Sequence, residues 1–420
     1  MSLIEQLQEK QWIKDLPLTI NAYIVGGCVR DLYLNRKSKD IDIVLENTNF
    51  DFISNYLSQY GKVDIVGESF GVIKFKPFNE QFDYDIALTR SERKIDSGHK
   101  GFDVSVDNIS IEDDLCRRDF TINSIAINIK TNKILDIFNS RQAIDQKLII
   151  VNKEESFFED PLRMLRAVQF ALRFNFEIEQ NTLDLIKKNA SLIKEISPER
   201  ILIEFEKVRC SKISPNKLIN LLIKTDLYQY IFNTRYRWYS EIYEYNSYNN
   251  SITAIDKQSF YFMLFHNMPA GSASSLYKEI LKGDNATFID IKAIESLWYI
   301  DFDKIDDAII LLNIYKAIRK YNKLISANTW HIFRSNKTET SLKILHYLNL
   351  FITNYFPNPL NPFINGDEIM EICNIDKPSK SISDLFDKIL IDIFNEEYSE
   401  KDYNIIKTKL IKYYLYEQKQ

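Results

Sequence analysis

Asp40 and Asp42 stand two residues apart in K-D-I-D-I-V-L, a stretch whose alternation reads as a β-strand. Side chains two apart on a strand share a face, so the carboxylates project to one side and Ile41 and Ile43 to the other. Magnesium in phosphoryl-transfer sites takes one or two such carboxylates and completes its shell with substrate phosphates. Upstream, Gly26-Gly27 closes the apolar run Tyr23 to Val25 and opens a segment of helical pattern near Cys28. Backbone N–H groups at a helix start, with no side chain in the way, can face a triphosphate, and Arg30 follows one turn later as a charged partner. Alone, a D-x-D pair is an exposed strand and a Gly-Gly pair is a turn. Joined in the order strand, turn, helix, strand, they spell metal-dependent chemistry on a phosphate.

A second constellation lies in F-F-E-D-P-L-R-M-L-R-A-V-Q-F-A-L-R-F, from Phe157 to Phe174. Its period is helical, Pro161 suits a first turn, and Asp160, Arg163 and Arg166 recur at three-residue spacing on one face. The residues alone leave two readings. One is an ion pair on a helix surface. The other is a base reader: cytosine and adenine each place an exocyclic amine beside a ring-nitrogen acceptor, so a carboxylate accepts from the amine while a guanidinium donates to the nitrogen. Uracil and guanine reverse that pattern and leave buried polar groups unpaired.

Between the two constellations, F-D-Y-D-I-A-L offers Asp85 as a third strand carboxylate with Asp83 as its same-face competitor, and pattern leaves both open. Arg117-Arg118-Asp119 in C-R-R-D-F-T-I-N reads by itself as surface salt bridges, with Thr121 and Asn123 holding the local backbone.

The elements that must position these groups alternate to about residue 150: a helix from Phe50 to Tyr60, then strands Lys62 to Val66, Gly71 to Phe75 and Phe82 to Leu88. Thr89 to Asp114 is polar, with no sustained period, and reads as a mobile loop. From Phe157 onward the pattern is helical throughout, and Ser197-Pro198 marks a further helix start at P-E-R-I-L-I-E. The expected class is α+β: an α/β head (1–152), then an all-helical neck (153–212), body (213–356) and tail (357–420). Breaks near Tyr245 to Ser251 and Met268 to Ser275, and the three prolines of Phe356 to Pro362, punctuate the helical part. The Tyr-rich run Thr234 to Tyr248 suits either base stacking or packing, and Arg319-Lys320-Lys323 and Lys407-Lys409-Lys412 suit either an RNA backbone or solvated helix faces.

With 420 residues the chain can bury more than one core, and its net charge of −5 argues against an indiscriminate basic coat for nucleic acid. Four scattered cysteines without C-x-x-C suit free thiols in a reducing compartment, and four histidines do not make a histidine-based metal module. The N-terminal M-S-L-I-E-Q-L-Q-E-K lacks the apolar core of a signal peptide, and no run reaches membrane-spanning length. A cytoplasmic protein off the membrane is expected.

G-G-C-V-R-D followed by D-I-D resembles the nucleotidyltransferases of the DNA polymerase beta superfamily, specifically the bacterial-type (class II) tRNA CCA-adding enzymes and their poly(A) polymerase relatives. R-R-D-F-T-I-N, E-D-P-L-R-M-L-R-A and P-E-R-x-x-x-E carry the likeness to about residue 210, and F-I-N-G-D-E-I-M-E-I, from Phe363 to Ile372, resembles the start of the family's tail. The resemblance implies a polymerase-beta-like head, two magnesium ions on Asp40 and Asp42, and Asp85 as the third carboxylate. It implies Gly26, Gly27, Arg30 and Arg118 on the triphosphate, Asp119 toward the ribose, and Asp160, Arg163 and Arg166 on the base-selecting helix. It further implies CTP and ATP as substrates and tRNA as acceptor, without a protein partner. S-E-R-K-I-D-S-G-H-K-G-F-D-V resembles the loop by which the family switches from adding C to adding A, and it is not shortened as in relatives that add only C-C.

Three departures stand out: Asp136-Ile137-Phe138-Asn139-Ser140 replaces D-P-F-G-G, Gln169 stands where an arginine is usual, and the tail lacks most of the usual prolines and glycines. Three rivals share the motifs or the helices: poly(A) or A-only addition on the same scaffold, a catalytically silent RNA-binding protein, and an enzyme that modifies tRNA to disable it. I-V-G-E-S-F-G-V-I-K-F and the absence of a long basic extension favour the CCA-adding resemblance over poly(A) addition.

Overall fold

The computed structural model describes residues 3–36, 41–66, 72–80, 82–94, 102–105, 109–232, 257–265, 272–298, 306–321, 343, 346–347, 364–378, 380–395 and 402–417. The chain divides into two compact units, one of Met1–Ser211 with Lys217–Thr234, the other of Lys212–Asn216 with Arg235–Gln420. Asp40, the Tyr-rich run, the three-proline stretch and Lys323 lie outside the described residues.

As far as residue 135 the strands of the first unit are β1 (Asn21–Val25), β2 (Ile41–Glu46), β3 (Gly61–Val66), β4 (Val72–Pro77), β5 (Tyr84–Leu88), β6 (Ser91–Lys94), β7 (Phe102–Ser105), β8 (Ala126–Asn128) and β9 (Ile134–Leu135). Seven form one sheet in the order β3-β4-β5-β2-β1-β8-β9. Only β2 and β5 run parallel within it, and their register sets Asp42 beside Asp85.

Strand alternation sorts the two faces. Ile24, Ile43, Phe75, Tyr84 and Ile86 point to a core closed by α1 (Leu3–Gln8), α2 (Gln11–Lys14), α3 (Gly27–Tyr33) and α4 (Phe50–Ser58). Tyr23, Val25 and Val44 point the other way, against Ile111 and Leu115 of α5 (Ile111–Cys116). Asp42 and Asp85 lie on this second face, two residues from Val44 and Ala87. Glu46 ties α5 down: it accepts from the Ile111 N–H at 2.9 Å, from Asn21 at 2.8 Å and from the Tyr23 hydroxyl at 3.2 Å. Burial, reinforced by that carboxylate, pushes the Tyr23 phenol up to about 12.

The expected loop from Thr89 to Asp114 is corrected here. β6 pairs antiparallel with β7, and α5 begins at Ile111 with the Ser110 side chain accepting from the Asp113 N–H. Four-residue strands and a six-residue helix are too short to print a period, and the three acids in the first turn of α5 disguise it as polar. Likewise the apolar run after Arg118 opens with a 3₁₀ turn, Thr121–Asn123, before β8 begins.

After α6 (Ser140–Asp145) the first unit is mostly helical: α7 (Ser156–Glu159), α8 (Leu162–Phe174), α9 (Gln180–Asn189), α10 (Pro198–Cys210), α11 (Pro215–Lys224, its first two residues grouped with the second unit) and α12 (Leu227–Ile231). The expectation of helix throughout from Phe157 is corrected at β11 (Glu177–Ile178), which pairs parallel with β10 (Leu148–Ile149) and is too short to show a period. Without the usual glycines, the turn before α6 places Asn139 in the left-handed region (φ 54°), and Asp136 accepts from the Ser140 N–H. The described part of the second unit is helical. Its C-terminal helices Gly366–Cys373, Lys380–Phe394 and Tyr403–Glu417 pack around Ile369, Leu385, Ile389, Ile406 and Leu410. A capping box of Asn365 and Glu368 starts the first of them. On the last, Lys409 reaches Asp392 at 3.5 Å. Among the described residues no helix is long and apolar enough to cross a membrane.

Trp12, only 3% exposed, meets Phe75 and Tyr84 edge-on, each at 5.2 Å between ring centroids. Trp12→Ala is expected to cost about 3–5 kcal/mol in denaturant unfolding, because the cavity opens against both rings in the buried core of the head. A loss below ~1 kcal/mol would show that α2 lies outside the cooperative core.

Candidate active site

One cleft of about 610 Å³ in the first unit gathers most of the residues singled out above: Gly27, Arg30, Asp42, Arg118, Asp119, Asp160, Arg163 and Arg166. It also takes in Arg117, Asn123, Gln169, Phe170, Arg173, Arg200 and Lys207.

At the sheet end, Asp42 lines the cleft and Asp85 is its register partner on the neighbouring strand. Asp83 precedes β5, is exposed, and lies 3.8 Å from Lys76; of the two alternatives, Asp85 is the one set beside Asp42. Carboxylate oxygens on adjacent strands are the hard donors a divalent cation takes. Among the described residues no group of three or more metal-ligating side chains occurs, Asp40 being outside them.

The two glycines divide their roles. Gly26 adopts φ 67°, and its N–H donates to the Ile125 carbonyl at 3.2 Å, so that N–H is not aimed at a phosphate as expected. A Cβ at Gly26 would come within 2.5 Å of the Arg118 Nη1, so the glycine makes room for that guanidinium. Gly27 begins α3 and lines the cleft. Arg30, one turn on, is 4% exposed: it donates to Asp31 at 2.8 Å and to Asn123 at 2.5 Å, and lies 4.2 Å from the centre of the Phe174 ring. Burial pulls its pKa down, but a guanidinium keeps its proton.

Two buried carboxylates sit beneath the arginines. Asp114, with no exposure, holds Arg117 at 2.7 Å and Arg118 at 3.0 Å. Asp119 accepts from the Phe120 N–H and Asn123 on one oxygen, and from Arg166 at 2.8 Å on the other. Burial works to raise both carboxyls; Arg118 and Arg117 outweigh it at Asp114, and Arg166 with Asn123 at Asp119, so both fall below the ordinary value of 3.8.

The helix-surface ion pair that the spacing left open between Asp160 and Arg163 does not form. Asp160 stands before α8 in extended conformation, accepts from the Leu162 N–H at 3.2 Å, and bonds Arg200 at 3.0 Å. Arg163 is held instead by Glu159 at 2.9 Å, the Ser156 hydroxyl at 2.7 Å and the Arg117 carbonyl at 2.8 Å. Each side chain is thus fixed by other partners while both line the same cleft.

Arg200 and Glu204 belong to P-E-R-x-x-x-E, read from the sequence as a brace rather than as site residues, and Lys207, not read from the sequence, follows Glu204 by three residues on the same face of α10. Glu204, 2% exposed, bonds Lys207 at 2.7 Å. Arg173 follows Arg166 by two turns on α8, a spacing that could have revealed it. Asn123, read as a backbone prop, bridges Asp119 to Arg30.

Because the Asp114 and Asp119 carboxyls are depressed in the folded chain, their contribution is present above about 3.8 and is lost as pH falls through the lower folded values. Urea midpoints of the first unit should fall on acidification below pH 4. In Asp114→Asn the slope against pH should be shallower, whereas an unchanged slope would remove Asp114 from that titration.

Residues 22–150 match the family model "Poly A polymerase head domain", and residues 175–234 match "Probable RNA and SrmB- binding site of polymerase A". A CCA-adding enzyme of Bacillus subtilis is 36% identical over 230 residues, covering 53% of this chain and 56% of the relative. One from Francisella tularensis subsp. novicida is 40% identical over 192 residues, or 44% of this chain and 49% of the relative. The chain thus spans about half the length of the curated relatives it matches. The fold is similar to that of the Bacillus stearothermophilus CCA-adding enzyme in complex with CTP, with a TM-score of 0.67 at 22% identity over 100% of both chains. It is also similar to the Thermotoga maritima CCA-adding enzyme complexed with tRNA, with a TM-score of 0.60 at 22% identity over 93% and 91%. Residues 22–150 are thus similar to the poly(A) polymerase head domain, residues 175–234 to the RNA-binding segment that goes with it, and the fold to that of CCA-adding enzymes.

Proposed function

We propose that this chain adds C, C and A to the 3′ end of tRNA, taking CTP and ATP, releasing pyrophosphate and using no nucleic-acid template. The observation that carries the reading is the single cleft in which Asp42, Gly27, Arg118, Asp160 and Arg163 all take part. Metal, phosphate and base can be addressed there by one bound nucleotide.

In this reading the 3′-hydroxyl of the tRNA attacks the α-phosphorus in line, and the bond to pyrophosphate breaks. Asp85 accepts the proton of the attacking hydroxyl. Asp40 and Asp42 would hold divalent cations, assigned here as two magnesium ions, which when bound lower the hydroxyl's pKa and neutralise the charge growing on the phosphates. Gly27, Arg30 and Arg118 orient the triphosphate, with Gly26 admitting the Arg118 guanidinium. Asp119 takes the ribose side of the nucleotide and fastens Arg166.

Asp160 accepts from the exocyclic amine of C or A, and Arg163 donates to the adjoining ring nitrogen. Uracil and guanine present the opposite pattern, so both side chains would lose a partner on binding them. Arg200, Glu159 and Ser156 hold the two readers in place, which makes rejection depend on geometry fixed before the nucleotide arrives.

We assign the head to 1–152, the neck to 153–212, the body to 213–356 and the tail to 357–420. The helical segments would hold tRNA through phosphates and 2′-hydroxyls rather than sequence. The cytoplasm, where CTP, ATP and tRNA meet, is the expected compartment, and the reaction calls on no protein partner and no membrane.

Purified protein should extend tRNA lacking its end in steps that stop at C-C-A, using CTP and ATP and refusing UTP and GTP. Growth by A alone on tRNA ending in C-C would make it an A-adding enzyme, and untemplated A-tails on arbitrary RNA would make it a poly(A) polymerase. Asp42→Ala should lower turnover at least ~10³-fold with unfolding unchanged. Asp85→Asn should cost about 10²–10⁴-fold, whereas Asp83→Asn stays within about twofold. Equal effects at 83 and 85 would contradict the assignment of the third carboxylate.

A further inference from the structure

Gln169 lines the cleft from α8, is 1% exposed, and its Nε2 has no hydrogen-bond partner. A buried amide donor without a partner is costly, and such an atom at a binding cleft marks a bond completed by what binds there. Its surroundings say what kind of acceptor that is. Arg166 precedes it by three residues and Arg173 follows by four, the spacings that share a helix face. Arg30 of α3 lies over the neighbouring Phe170 at 5.6 Å from the ring centre, which brings this part of α8 to the helix that begins at Gly27. The carboxylate reader Asp160 stands before the first turn of α8, on the N-terminal side of Gln169, which lies near the middle of the helix. Cations around a lone donor favour an anionic acceptor.

Resting on the nucleotide-binding reading above, we propose that Gln169 donates from Nε2 to a phosphate oxygen of the bound nucleoside triphosphate. The contact is blind to the base and distinct in effect from Asp160 and Arg163. A neutral amide serves here where a fourth guanidinium on α8, beside Arg163, Arg166 and Arg173, would add like-charge repulsion.

The experiment is equilibrium binding of CTP, ATP and inorganic tripolyphosphate to the full chain and to Gln169→Leu, Gln169→Glu and Gln169→Arg, each first checked by thermal melting. Gln169→Leu should weaken all three about tenfold to a hundredfold, the loss of a hydrogen bond to a charged group, with the CTP:ATP ratio unchanged. Gln169→Glu should weaken them further, and Gln169→Arg should bind tripolyphosphate at least as tightly as the wild type. Tripolyphosphate affinity unmoved by Leu or Glu, or a changed CTP:ATP ratio, would overturn the proposal. Should Gln169→Leu fail to fold, the opposite signs expected for the Glu and Arg variants decide it. A wild type that binds tripolyphosphate yet never extends tRNA would sink the proposed reaction and leave this contact standing, so the two failures are distinguishable.

Discussion

The bond from Arg166 to buried Asp119 is the tie on which the cleft depends. It joins the turn that follows α5 to the first long helix after the head, and through Asn123 the same carboxylate reaches Arg30 on α3. Charge explains why such a tie is needed. Among the described residues, eight arginine or lysine side chains line the cleft against three carboxylates. Left alone they would repel one another and sample many rotamers. Instead Asp114 takes Arg117 and Arg118, Asp119 takes Arg166, Glu159 takes Arg163, Asp160 takes Arg200 and Glu204 takes Lys207. A buried ion pair adds little net stability once desolvation is counted; what it adds here is a fixed direction for each guanidinium.

That arrangement also bears on selectivity. A protein that must accept two bases and refuse two others cannot rely on size, since each accepted base has a rejected counterpart of similar size. It must present a donor and an acceptor that cannot swap. In the proposed reading Arg163, held by three partners, and Asp160, held by a backbone N–H and Arg200, would meet that requirement.

Strand pattern made the head legible: Asp42, Ile43 and Val44 alternate in sequence as they do across the sheet, and β2 to β5 fall close to their expected bounds. Register was not legible. The parallel pairing of β2 with β5, which chooses Asp85 over Asp83, joins segments some forty residues apart with no local signal. Short elements were also lost, α5 most of all, because six residues cannot display a period. Among the residues that hold the site, motifs marked Arg200, Glu204 and Asn123 as braces but not what they brace. That Arg200 bonds Asp160, Glu204 bonds Lys207 and Asn123 joins Asp119 to Arg30 is visible only once the separate segments are folded together. Gly26 was noticed for the right spacing and the wrong reason, since its missing side chain serves Arg118 rather than a phosphate on its own N–H.

The claim at the centre of this account is that Asp160 and Arg163 read the base. Its most direct test is kcat/KM for CTP and UTP on tRNA lacking its end, in the wild type and in Asp160→Asn and Arg163→Ala. The account predicts that each variant erodes the CTP preference by at least about tenfold, more than it lowers total nucleotide use, because a misread base no longer leaves a buried group unpaired. A uniform loss for CTP and UTP, with the preference intact, would contradict it and return Asp160 and Arg163 to the status of helix-start braces.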